Sequence, residues 1–199
     1  MLAAFTLVRV FEWAKKQDWR RFSYTVGAMV ALGCLLENSL VLPKRQSAEA
    51  FHNSLGVMYQ AEGRLDDALR EYHKALEFSK VSTLYANLGL VYLLKKDYRS
   101  AAKNYHQAFD MDPENAETCF QLGLSFLNLH KLNEARLYFE KSVVLNPHRM
   151  PLAYYHLAFI YATQGESSKA EKAMKTYLRL NPQDKKSWEA FLRYSREKK

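Results

Sequence analysis

Cysteine is scarce in this chain of 199 residues: Cys34 and Cys119 are too few for a disulfide framework. Seven glycines and five prolines leave little room for disordered or low-complexity stretches. Catalytic signatures are missing too. There is no phosphate-cradling glycine loop, no GxSxG elbow and no HExxH pair among the six histidines. The neighbouring acids Asp66-Asp67 and Asp110-x-Asp112 fall at helix ends or turns, where the helix dipole and water account for them. The sequence therefore predicts no enzyme, no cofactor and no metal.

Charge of one sign is in excess, but not where a nucleic-acid face would need it. The net charge is +8, and residues 47–182 hold 16 Lys/Arg against 15 Asp/Glu. The surplus lies at the two ends: 7 against 3 in residues 1–46, and 6 against 3 in residues 183–199. A nucleic-acid footprint concentrates cations on one face of the folded part. No nucleic-acid partner is expected.

What the sequence does have is a period. Leu55-Gly56, Leu88-Gly89, Leu122-Gly123 and Leu157-Ala158 recur at steps of 33, 34 and 35 residues. Each is followed by an aromatic (Tyr59, Tyr92, Phe126, Tyr161) and then by an alanine (Ala68, Ala101, Ala135, Ala170). Tyr72, Tyr105, Phe139 and Met174 come next, and Pro113, Pro147 and Pro182 close the last three units. A period in this range means stacked helix–turn–helix units. A glycine or alanine at the centre of the first helix lets its partner approach, and the aromatics are expected to fill the wider space between neighbouring pairs.

This register resembles the tetratricopeptide repeat family over residues 47–182. The resemblance implies an all-α superhelix of four repeats: 47–80, 81–114, 115–149 and 150–182. Lys80 replaces the closing proline of the first unit, which should loosen that turn; Tyr177 stands where the family has a small residue. Residues 183–199 carry Trp188, Phe191 and Leu192 at i, i+3, i+4, which predicts a capping helix.

Ahead of the repeats, residues 1–23 read as a short interfacial helix and basic loop, rich in Trp, Phe, Lys and Arg. Residues 24–42 form an apolar run of 19 residues, about the ~20 needed to cross a bilayer as a helix. The pattern predicts a transmembrane helix with Glu37 and Asn38 near its far boundary. Arg9, Lys15, Lys16, Arg20 and Arg21 precede it and Lys44-Arg45 follow, which puts the repeats on the non-cytoplasmic side. The alternative is a soluble cytoplasmic chain in which this segment is a folded cap. The order of apolar helix, basic loop, apolar span and repeats also resembles the join in multi-spanning membrane glycosyltransferases with C-terminal repeats.

The resemblance further implies that the first helix of each unit lines a concave groove that binds a protein or peptide. The matching residues are Asn53 and Val57, then Asn87, Leu90 and Leu94, then Phe120, Gln121 and Leu124, then Tyr155, His156 and Phe159. Ser54, Asn87, Gln121 and His156 would form a polar line for an extended backbone, with the apolar positions taking its side chains. Repeats that grip chaperone C-terminal carboxylates need cations here, and Asn53, Val57, Glu117 and Gln121 supply none. The expected role is a membrane-tethered scaffold. Its alternatives are a docking region of a glycosyltransferase and a soluble assembly factor.

Overall fold

The computed structural model describes residues 48–197, and the segments expected in 1–23 and 24–42 lie outside them. No helix among the described residues is long and apolar enough to cross a membrane. The described residues form nine helices and no strand: α1 (48–61), α2 (Leu65–Phe78), α3 (Ser82–Leu94), α4 (Tyr98–Met111), α5 (Ala116–Asn128), α6 (Leu132–Leu145), α7 (Pro151–Thr163), α8 (Ser167–Leu180) and α9 (Lys185–Glu197). Successive helices pack as antiparallel pairs, α1 with α2 through α7 with α8, and α9 lies against α8.

The drift in the sequence period has a single source. Helices α2, α4, α6 and α8 each have 14 residues, and α3, α5 and α7 each have 13. The turn inside each pair is constant, whereas the connection to the next pair grows from 79–81 to 112–115 to 146–150. The extra residues between units account for the lengthening step. The first connection, which lacks proline, is the shortest, with Ser79 and Val81 both extended. The turn at Lys80 is a short extended link.

Inside each pair the first helix ends in the same way. Gly63, Lys96, His130 and Gly165 adopt left-handed φ of 75°, 61°, 58° and 78°. The next amide donates back to the carbonyl of Tyr59, Tyr92, Phe126 or Tyr161, in each case at 2.9 Å. This is the closure that satisfies the orphan carbonyls of a helix end. The register aromatic thus also marks the carbonyl that ties the turn. Helix starts are capped where the residue allows: Asp97 accepts from the Ser100 amide at 3.1 Å, and Asn115 from the Thr118 amide at 3.0 Å.

The need for glycine at the crossings comes from what lies over it. A β-carbon at Gly56 would sit 2.6 Å from the Tyr72 ring, at Gly89 2.9 Å from Tyr105, and at Gly123 2.8 Å from Phe139. The rings of the second helices therefore lie across the glycine of their own unit, and they also fill space between units: Tyr72 clusters with Leu84 and Leu88, Tyr105 with Leu122, and Phe139 stacks on His156. The fourth unit carries Ala158 instead, and Met174 stands where the others have a ring. An unbranched, flexible side chain tolerates the extra carbon that a planar ring would not.

The buried residues gather in three clusters. One holds Tyr72, Leu84, Leu88 and Val91; a second holds Ala101, Tyr105 and Leu122. The third is larger and runs from Phe120 and Phe139 through Leu157, Ile160 and Met174 to Phe191 of α9. Tyr177, the outsized residue of the last unit, is buried there, and its hydroxyl donates to Asp184. Asp184 in turn accepts from the Ser187 amide at 3.2 Å, capping α9. The bulk of Tyr177 thus serves to seat the terminal helix.

Candidate functional site

Helices α1, α3, α5 and α7, which the resemblance assigns to the inner wall, are nearly free of charge. Helices α3 and α7 contain no charged residue, and α5 contains only Glu117. On the first two helices aliphatic groups reach water: Val57 is 49% exposed and Leu94 51%, with Leu90 half-buried beside them. Leu124 continues the row, half-buried, on α5. Such groups lose ordered water when another apolar surface covers them.

The polar line expected along this wall takes a different form. Asn87 Nδ2 donates to Asn53 Oδ1 at 3.0 Å, so these two carboxamides join neighbouring units to each other. Gln121 donates to Glu117 at 2.6 Å, and its own carbonyl oxygen is buried without a partner. Ser54 is exposed. His156 is not a free member of the line at all. Its ring stacks on Phe139 at 5.1 Å and packs against Phe120 at 6.2 Å. Burial lowers its pKa to about 4, because the charged imidazolium would lose its water there. His156 is neutral at pH 7.

Phe120 is likewise placed in the core, with 7% of its surface exposed between Phe139 and His156. Tyr155 and Phe159 are half-buried and largely claimed by the C-terminal helices: Tyr155 packs on Tyr177 at 5.3 Å, and Phe159 on Phe191 and Tyr194 at 5.8 and 5.4 Å. Of the expected residues, Val57 and Leu94 are exposed, Leu90 and Leu124 are half-buried and pack against the second and third clusters, and Phe120, His156, Tyr155 and Phe159 are used for packing.

Other exposed apolar residues fall outside the expected set. Phe51 and Met58 on α1 are 61% and 45% exposed, and Leu152 on α7 is 51% exposed. On the outer helix α6, Leu137 and Val144 are 60% and 79% exposed. These two lie seven residues apart and so on one face, a signal that was available in the sequence.

Several titratable groups are held by local partners. Asp66 pairs with Lys95 across the first two units, and the Arg64 guanidinium keeps Asp67 below the usual carboxylate range. His52 and Lys74 both meet the buried Glu71, at 2.7 and 2.8 Å, and lower its pKa. His106 meets Asp110 at 3.1 Å on the surface. Cys119 is fully buried, and burial pushes its thiol pKa up, which leaves it unreactive. Among the described residues no group of three or more His, Cys, Asp and Glu is placed to hold a metal.

Family models described as tetratricopeptide repeat match residues 46–114, 86–149 and 152–184, together more than half of the sequence. The chain belongs to the tetratricopeptide repeat family. Among solved structures, YrrB, titled a TPR protein with an unusual peptide-binding site, superposes with a TM-score of 0.64 at 21% identity, covering 81% of this chain and 86% of that one. MamA gives a TM-score of 0.64 at 21% identity, covering 74% and 86%. At that identity the likeness establishes the fold. Among sequences, human cilia- and flagella-associated protein 70 is 29% identical over 133 residues, 65% of this chain and 12% of that protein. Bovine BBSome complex member BBS4 is 38% identical over 81 residues, 41% of this chain and 15% of that protein. This tetratricopeptide repeat chain therefore spans a small part of both relatives.

Proposed function

We propose that this chain is an interaction scaffold whose inner wall holds an apolar segment of a protein or peptide partner. The observation that carries this reading is that Val57 and Leu94 are about half exposed, with Leu90 and Leu124 partly so, on helices almost free of charge. Burying a Val or Leu side chain contributes roughly 1.5–3 kcal/mol, so three or four such contacts make a useful docking site. With no cation on α3, α5 or α7, the wall favours aliphatic contacts over a carboxylate grip. The chemistry is binding, with no bond made or broken. YrrB, which shares the fold, is described as having a peptide-binding site, and BBS4 as a member of a complex; both descriptions agree with this reading.

A photo-crosslinking residue placed at position 94, with a matched one at position 137 on the outer face, tests the assignment. Crosslinking to one defined partner from position 94, lost in a Val57→Lys background, is the expected result. Equal yield of the same product from position 137 would move the site off the inner wall.

Tethering through residues 24–42 remains part of the proposal on sequence grounds, as does the non-cytoplasmic orientation. Sedimentation with membranes that resists alkaline carbonate would support the tether, and recovery in the supernatant would favour the soluble assembly-factor alternative. The reading as a glycosyltransferase docking region rests only on the order of its N-terminal segments. An upstream reading frame with further apolar spans would be needed to sustain it.

A further inference from the structure

The C-terminal helices carry a second surface, unrelated to the inner wall. Helix α8 turns Ala170, Ala173, Met174 and Tyr177 inward, which leaves Lys172, Lys175 and Arg179 along its outer side at i, i+3 and i+7. These cations border a shallow depression together with Glu171. Arg179 also borders the adjoining recess at the α8–α9 junction, whose floor is apolar: Leu178, Pro182 and Trp188, with Lys185 at its edge. Arg179 lines both hollows. Among the described residues Lys175 pairs with Glu171 at 2.6 Å, whereas Lys172, Arg179 and Lys185 meet no carboxylate.

We propose that this face docks an acidic peptide segment carrying one large apolar side chain. The unpaired cations call for carboxylates, and the Leu178–Pro182–Trp188 recess calls for a single apolar anchor between them. A uniform polyanion fits less well. Glu171 borders one hollow and Glu189 the other, and they would oppose an unbroken row of phosphates, while a peptide can stagger its acids around them. A flat anionic bilayer would leave the recess unfilled.

The test uses the full chain and a fluorescein-labelled acidic peptide with one central phenylalanine, read by anisotropy. The same peptide with serine in place of phenylalanine, heparin, and phosphatidylserine vesicles are the comparison ligands. The double variant Lys172→Glu/Arg179→Glu alters only exposed side chains, and Lys103→Glu on α4 is the control. Trp188→Ala is a further variant, checked for helicity because Trp188 stacks on Phe191 at 5.9 Å. Expected are saturable binding of the phenylalanine peptide, a loss of about tenfold or more in the double variant, and a similar loss with the serine peptide. Lys103→Glu should leave binding unchanged. The proposal is overturned if the peptide does not bind or if the double variant binds it as well as the parent. Heparin or vesicle binding that is equally tight and indifferent to Trp188→Ala would overturn it as well.

Discussion

The two halves of the stack are built to one plan and filled differently. In the first half a tyrosine ring lies over a glycine in each unit, the buried residues form two small separate clusters, and aliphatic groups on the inner wall stay open to water. In the second half Phe120, Phe139, His156, Tyr155, Phe159 and Phe191 join in one aromatic body that reaches from α5 to α9. Val57 is exposed in the first unit, whereas Phe159, at the same position of the fourth, packs on Phe191 and Tyr194. A repeat register therefore specifies where a side chain points, while the neighbours decide whether it is available.

The sharpest way to break this contrast is Phe139→Ala. Phe139 touches Phe120, His156 and the bare backbone of Gly123, so a loss of about 3–5 kcal/mol is expected by urea denaturation. A loss below about 2 kcal/mol, the low end for large core truncations, would mean that the aromatic body is not continuous.

In the first half the corresponding weak point is a missing side chain. Gly89→Leu should cost about 1–3 kcal/mol or more, since even its first carbon would lie 2.9 Å from the Tyr105 ring. An unchanged melting temperature would show that the ring has room to swing aside.

Acidity should separate the halves further. His156 is held neutral in the fold, with its pKa lowered to about 4 from the ordinary 6.5. The unfolded chain then binds the extra proton between those two values, so the fold loses stability as the pH falls from 6.5 through 4. Relative to His156→Phe, the parent should lose on the order of 1–3 kcal/mol across that window, read as a difference in melting temperature at pH 7 and pH 4.5. Parallel pH profiles for the two proteins would sink the assignment of His156 to the aromatic body.

The smallest expected effect concerns the turns. His130 holds a left-handed φ of 58° that the two outer units give to glycine. His130→Gly should leave stability within about 1 kcal/mol of the parent, on the stabilising side, because it relieves the clash of the side chain with its own backbone. A clear loss would indicate that the imidazole contributes a contact of its own.

Much of the fold was legible in the sequence because its causes are local. Gly56, Gly89 and Gly123 with their following aromatics announced paired helices, and the prolines announced the ends of units. The candidate surface was harder to read. Phe120 and Val57 both belong to inner-helix positions, yet Phe120 is enclosed because Phe139 and His156 close over it from the same unit and the next. Nothing in the spacing of a single unit conveys that. Asn53 and Asn87 likewise look like two free carboxamides until the geometry joins them at 3.0 Å. The packing of α7 under α9 depends on Phe191 and Tyr194, more than thirty residues beyond Phe159.

The bend inside each unit is closed by one main-chain hydrogen bond that any residue but proline can supply. Glu62-Gly63-Arg64, Lys95-Lys96-Asp97, Leu129-His130-Lys131 and Gln164-Gly165-Glu166 trace one shape with four unlike sets of side chains. The same closure serves all four units although the side chains around it make different contacts of their own: Lys95 with Asp66, Asp97 with the Ser100 amide, and Glu166 with Arg136.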